Sequence, residues 1–333
     1  MTPPAPATSR TRKPVVLITG AGGFIGTALA ERLVEKGILV RSGVRSAPAR
    51  HGSQVPCDLD RPEQIATAVQ GVDLVVHAAY GSAGDMEAQC RSLLDAMAIA
   101  DVRRLVCLSS IAVYGDATGD IAEDFSQPAE RDGYGLAKQA CETAVRAFAG
   151  QSGRSAVILR PGIVYGAGSP FWIDKLKDRI ESGVWGRFGE DGEGIAALIH
   201  VDDLAEQIAA AVGRLMDPVG APTGAVALNA IGPQTPSWNT YFTALARHLG
   251  HDLRDLSAGE RKLRQAVAVA AKLWRKLGLP GGRAAALFPM PAEMALFARK
   301  ARYCTNQARD FLGVEPHIGL AEGLARSLPQ AKV

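Results

Sequence analysis

A tyrosine and a lysine four residues apart, Tyr134 and Lys138 in YGLAK, fall on one face of any helix that carries them. Two serines, Ser109 and Ser110, close the apolar run RRLVCLSS, with Ser110 standing 24 residues before the tyrosine. A free phenol titrates at about 10 and is a poor base at neutral pH. An adjacent ammonium stabilises the phenolate, and a serine hydroxyl can orient a substrate oxygen. Together these groups suit the interconversion of a ketone and a secondary alcohol.

A second chemical signal is GAGGFIG, in which Gly20, Gly23 and Gly26 are spaced G-x-x-G-x-x-G directly after VVLIT. The first glycine permits a tight turn, the second lets backbone approach a pyrophosphate, and the third allows a helix to pack closely. The following helix then offers its unpaired N–H groups to the anion. In NAD sites an acidic side chain about 20 residues further on takes the ribose hydroxyls. Here VRSGVRS supplies Val44 and Arg45 instead, and Arg45, aided by Arg41 and Ser42, suits a 2′-phosphate, so this reading favours NADP over NAD. Asp58 in CDLD is placed either to bond the adenine amine or to cap the helix that starts near Pro62.

These groups need a scaffold, and the apolar pattern supplies one. VVLIT, ILVRSGV, DLVVHAA, RRLVCLSS and SAVILRP read as strands, alternating with helical segments after Gly23, at PEQIATAVQ, at 86–100 and at 134–149. Such alternation predicts an α/β fold, a doubly wound parallel sheet of the Rossmann type. A smaller, mostly helical C-terminal substrate domain completes it. The expected boundaries are a disordered leader at 1–13, a dinucleotide-binding domain at 14–165 to which 195–230 returns, and a substrate-binding domain from 166–194 and 231–333. GIVYGAGSP reads as loop, and AVALNA near residue 227 as one more strand.

At 333 residues the chain is one large or two coupled domains. With 47% hydrophobic and 21% charged residues it is an ordinary globular composition, and a net charge of +3 gives no reason to expect nucleic acid as a partner. The five cysteines are scattered, with no C-x-x-C pair and no histidines at ligand spacing, which predicts free thiols, no metal and a reducing, cytoplasmic setting. No uncharged apolar run reaches the roughly 18 residues of a membrane span.

TGAGGFIG, CDL, HAAY, SSIAVYG, YGLAK, LRPGIVYG and IHVDDLA occur in the order and at the spacings of one family. With them the sequence resembles the extended short-chain dehydrogenase/reductases, the NAD-dependent epimerase/dehydratase group, and a weaker match in NQARDFLGVEPHIGLAEGL extends the likeness over nearly the whole chain. The resemblance implies that Ser110 orients the substrate, that Tyr134 is the general acid/base, and that Lys138 favours the phenolate and binds the nicotinamide ribose. It further implies that Ala78 and Ala79 line the cofactor groove and that Phe24, Ile25, Asp58 and Leu59 lie nearer its adenosine end. On the same resemblance, Pro161 and Ile163 would support the nicotinamide carboxamide through backbone groups. Pairing into a homodimer through two helices per subunit is common among such proteins. Tyr114 and Tyr165 read as structural or pocket-lining, and His200 as structural.

The sequence also departs from the family. Ile111 and Ala112 replace the Asp-Glu pair of the sugar dehydratases, and Ile195-Ala196-Ala197-Leu198 lacks the arginine that clamps a nucleotide diphosphate in the sugar epimerases; a second family arginine, followed by a P-G-D-like segment ahead of the tail motif, is also missing, although Arg299 or Arg302 could substitute for that one. Phe171, Trp172, Trp185, Phe188, Leu198, Phe288 and Phe297 are the candidate walls of an apolar substrate site, each also suited to plain packing. The expectation is therefore an NAD(P)-dependent oxidoreductase acting on a small to medium organic ketone or alcohol. Its rivals are a nucleotide-sugar epimerase that recycles its hydride, and a non-catalytic dinucleotide sensor. Finally, 260–277 places Leu263, Ala266, Val267, Ala270, Leu273, Trp274 and Leu277 on one helical face among six basic residues. Packing of that face on the core is the expectation, with an anionic membrane surface or a lid over the substrate as alternatives.

Overall fold

A computed structural model describes residues 13–46, 48–125, 133–276 and 287–328, the side chains of 271–276 excepted. All of the expected leader but Lys13 lies outside the described residues, as does Leu277. The first half runs β1 (Val15–Thr19), α1 (Phe24–Glu35), β2 (Leu39–Val44), β3 (Ser53–Pro56), α2 (Pro62–Val69), β4 (Leu74–His77), α3 (Met86–Ile99), β5 (Arg104–Leu108), a 3₁₀ turn (Ile111–Tyr114), β6 (Gly119–Ile121) and α4 (Gly133–Ala149). The second half runs β7 (Ser155–Pro161), β8 (Ile163–Tyr165), α5 (Lys175–Glu181), β9 (Leu198–His200), α6 (Val201–Met216), β10 (Gly224–Ala230), α7 (Trp238–His248), α8 (Ala258–Lys276), α9 (Pro291–Ala298), β11 (Ala301–Tyr303), α10 (Asn306–Leu312) and α11 (Leu320–Ser327).

Seven strands form one parallel sheet in the order β10-β7-β5-β4-β1-β2-β3. The chain winds outward from β1 to β3, then crosses back to β4 on the other side of β1. That reversal opens a crevice beyond the carboxyl ends of β1 and β4, where doubly wound folds bind ligands. Register puts Thr19 opposite both Gly43 and His77, so the turn after β1 meets the ends of both neighbours.

Side chains alternate across the sheet and split the core in two. Val16 and Ile18 of β1 pack with α1 and α6, while Leu17 packs with α2, α3 and α4 on the opposite face. A third, aromatic core, with Trp185, Phe188, Trp238, Phe242 and Phe297 in contact, lies in the C-terminal part of the chain. Four of the expected substrate walls, Trp185, Phe188, Leu198 and Phe297, belong to it and are at most 3% exposed, so they pack the lobe.

Three readings of the sequence need correction. Ile163–Tyr165 is a strand, β8, pairing with β9, because three residues between two glycines carry too little pattern to reveal a partner that is distant in sequence. The boundary at 231 is less clean than expected, since α10 buries Ala308 and Leu312 in the cluster formed by α1 and α6. Most consequentially, α8 packs with its polar side. Ala268 is 2% exposed and Arg264 donates to the Val184 carbonyl, whereas Leu263 is 65% exposed and Val267 38%.

Candidate active site

The glycine turn is built by backbone. Gly20 takes φ +74° and its amide, with that of Ala21, donates to the Gly43 carbonyl at 3.1 and 3.2 Å. A Cβ on Gly20 would lie 2.8 Å from the Ala79 Cα, and one on Gly26 would lie 2.2 Å from the Gly20 carbonyl oxygen, so neither position tolerates a side chain. Gly23 caps α1 without a side-chain hydrogen bond, and the first-turn amides, at Phe24, Ile25 and Gly26, lack intrahelical partners. These amides and the positive end of the helix suit a diphosphate.

Around the turn, His77 is buried and its Nδ1 lies 2.9 Å from Thr19 Oγ1. Burial first, and the Lys138 charge second, push it down to about 3, so it is neutral and structural. Ala78 donates from its amide to the Thr19 carbonyl at 3.3 Å, placing Ala78 and Ala79 along the crevice. Leu59 is buried and Asp58 half-buried. Asp58 does not cap α2: its Oδ1 accepts from the Asp60 amide at 3.2 Å, closing a local turn, while Arg61 is the cap residue.

Arg45 is exposed just past β2, but the two residues expected to aid it are committed elsewhere. Arg41 Nη1 donates to the carbonyls of Ala68 and Gln70 at 2.9 and 2.5 Å, and the buried Ser42 hydroxyl donates to the His51 carbonyl at 2.6 Å. A guanidinium bonded to a helix C-terminus is where the dipole favours a cation.

The residues expected to carry proton transfer gather at the end of β5. Lys138, 6% exposed, donates to the Leu108 carbonyl at 2.8 Å, and its Nζ lies 5.8 Å from the centroid of the Tyr134 ring. Ser110 begins the 3₁₀ turn, its Oγ accepting from the Ala112 amide at 3.2 Å. That bond uses a lone pair and leaves the hydroxyl proton to donate. One helix turn and one strand end thus bring Ser110, Tyr134 and Lys138 to the same rim of the sheet. At the neighbouring edge, Pro161 has only a carbonyl to offer, and the Ile163 amide already donates to the Ala197 carbonyl at 2.7 Å. Any support these two residues give a carboxamide would therefore come from their carbonyls.

Behind the rim lies a polar network that the sequence reading missed. Ser109 donates to Glu142 Oε1 at 2.6 Å, and Arg160 bonds both oxygens of Glu142, at 2.8 and 2.6 Å. Arg160 also donates to the Tyr114 hydroxyl and the Glu123 carbonyl, both at 2.8 Å, and Tyr114 donates to Asn229 Oδ1 at 2.7 Å. The network locks β5, α4, β7 and β10 together beside the three candidate groups. Its signals were present: Glu142 follows Lys138 by one helical turn, and an arginine inside SAVILRP must find a partner if the strand is buried. Tyr114 is raised by burial, against the nearby Arg160 charge, and belongs to this framework rather than to proton transfer. His200 caps α6, its Nδ1 accepting from the Asp202 amide at 3.3 Å, and burial lowers it despite Asp202 and Asp203. Arg299 is paired with Asp116 at 3.2 Å, while Arg302 is exposed on β11.

Among the described residues no group of three potential metal ligands occurs, and no helix is long and apolar enough to cross a membrane. A family model for the NAD dependent epimerase/dehydratase family matches residues 16–218. The chain is 27% identical over 92% of its length to a 4-hydroxy-2-methyl-3-oxo-4-farnesyl-3,4-dihydroquinoline-1-oxide ketoreductase from Stigmatella aurantiaca, of which the match covers 93%. It is equally 27% identical, over 93% of its length and 97% of the relative, to a 2-alkyl-3-oxoalkanoate reductase from Stenotrophomonas maltophilia (strain K279a). The solved structure of MoeE5 in complex with UDP-glucose and NAD superimposes with a TM-score of 0.70, 25% identity and coverage of 94% of this chain and 96% of that one. Matches that run through the glycine turn, the YGLAK helix and the C-terminal lobe admit one reading: the chain belongs to the NAD-dependent epimerase/dehydratase family, as an NAD(P)-dependent oxidoreductase.

Proposed function

We propose that the protein reduces a ketone on a lipophilic carbon skeleton, or oxidises the matching secondary alcohol, with Ser110, Tyr134 and Lys138 as the reacting and orienting groups and NADP as the preferred cofactor. The observation that carries the reading is the buried Lys138 ammonium, fixed on the Leu108 carbonyl and 5.8 Å from the Tyr134 ring, beside Ser110. The relatives that match nearly end to end are named as a ketoreductase and an oxoalkanoate reductase, which supports a ketone substrate. The Ala196-Ala197-Leu198 segment is at most 3% exposed and holds no cation, which disfavours a diphosphate-bearing substrate.

The glycine turn would hold the cofactor diphosphate, Ala78 and Ala79 the floor of its groove, Lys138 its ribose, and Arg45 a 2′-phosphate. When bound, the nicotinamide exchanges a hydride with the carbinol carbon. In the reducing direction Ser110 donates a hydrogen bond to the carbonyl oxygen and fixes it beside Tyr134. The Tyr134 hydroxyl delivers its proton to that oxygen as charge develops there, and the Lys138 charge beside the ring favours the phenolate left behind. Such a device needs the lysine held rigidly, which its backbone anchor does.

The test is a screen of 2-alkyl-3-oxoalkanoates, simple aryl and alkyl ketones and UDP-sugars with both nicotinamide cofactors. Stoichiometric NADPH oxidation with a ketone is expected, and Arg45→Glu should shift preference toward NADH. A nucleotide-sugar epimerase, the reading favoured by the likeness to the UDP-glucose complex, would convert a UDP-sugar with no net change in cofactor absorbance.

A further inference from the structure

We propose that α8 docks the protein on an anionic lipid surface. Leu263, Ala266, Val267 and Ala270 recur at i, i+3, i+4 and i+7 and share one face of the helix, and all four are exposed. The helix is held to the body by the other side. Ala268 is buried there, Arg261 bonds the Leu256 carbonyl and the Asp191 carboxylate, each at 2.9 Å, and Arg264 bonds the Val184 carbonyl. A surface helix that served only the fold would be turned over, with leucine and valine inward and arginines in water.

Charge identifies what covers the face. Residues 260–277 carry six basic residues and one acid, Glu260, whose carboxylate is already paired with Arg254 at 2.6 Å. Arg261 is paired with Asp191, but the helix sequence keeps an excess of five basic residues, the exposed Lys262 among them, and an apolar stripe on such a helix is complementary to lipid headgroups of negative charge and to the acyl boundary beneath them. A second copy fits less well, because self-pairing about a two-fold axis would press two basic helices together. The helix lies on such a surface without crossing it, consistent with the absence of a spanning helix among the described residues. The inference rests on the helix alone and stands apart from the catalytic reading.

The test is co-sedimentation of the full chain with vesicles of phosphatidylglycerol and phosphatidylcholine, against vesicles of phosphatidylcholine only. At low salt, binding to the anionic vesicles should exceed that to the neutral ones by more than about tenfold and fall away at high salt. The double variant Leu263→Glu/Val267→Glu should lose the binding while keeping wild-type melting and wild-type cofactor oxidation, and Lys262→Gln should weaken it several-fold with the melt unchanged. Equal sedimentation with both vesicle types, none with the anionic type, or a double variant that binds like the wild type overturns the proposal. A wild-type dimer that the double variant splits, with no vesicle binding, reassigns the face to a second copy.

Discussion

Helices α4 and α8 carry similar patterns, apolar residues at helical spacing with basic residues among them, yet the fold uses them in opposite ways. α4 buries Ala137, Cys141, Ala144, Val145 and Phe148, and takes Lys138 and Glu142 in with them, because the Leu108 carbonyl and Arg160 satisfy both charges. α8 keeps Leu263 and Val267 in water and anchors itself through arginines that reach backbone carbonyls and a carboxylate. A stripe at 3.6-residue spacing therefore shows that a face exists; the partners offered by the rest of the chain decide whether it becomes core, active site or docking surface.

The largest effects belong to α4. Tyr134→Phe should lower turnover by about 10²–10⁴-fold, the usual worth of a positioned proton donor, with the melting temperature unchanged. A stopped-flow measurement of cofactor oxidation checks it, and full activity would remove Tyr134 from the chemistry. Next comes the ion pair behind it. Glu142→Ala leaves Arg160 buried without its carboxylate and should cost about 3–5 kcal/mol in urea unfolding, whereas a change no larger than that of an exposed site would mean the network relaxes onto water.

A smaller effect is set by His77, whose folded value of about 3 lies below the ordinary 6.5. The unfolded chain therefore binds the proton first, so the stability this residue confers is complete above about pH 6.5 and is lost as pH falls toward 3. Between pH 7 and pH 5 unfolding should become easier by about 2 kcal/mol, at 1.36 kcal/mol per unit, and His77→Gln should flatten that slope. Smallest of all, Leu263→Glu/Val267→Glu on α8 should change unfolding free energy by no more than about 0.5 kcal/mol, as expected of exposed positions. A loss comparable to that of Glu142→Ala would show the two helices to be equivalent and the exposed face to be core.

What was legible in the sequence follows the same division. The alternation of apolar strands and helices and the glycine spacing are local patterns, and they specified the parallel sheet with its turn after Thr19. The tyrosine and lysine were legible because i and i+4 meet on any helix. The Glu142–Arg160 network was not read, because its members come from α4 and β7 and only the fold brings them within 2.6 Å. β8 was hidden for a related reason: its partner β9 begins 35 residues later, at Leu198. Arg41 was misread because its side chain runs to the end of α2, a placement with no trace in VRSGVRS itself.

The most direct test of the central chemistry follows deuterium from 4-deuterated NADPH into a 2-alkyl-3-oxoalkanoate. One cofactor oxidised and one deuterium retained at the new carbinol carbon per product is the expected result, with both falling together in Tyr134→Phe. Substrate converted with no net cofactor oxidation, or product formed at undiminished rate by the phenylalanine variant, would contradict it.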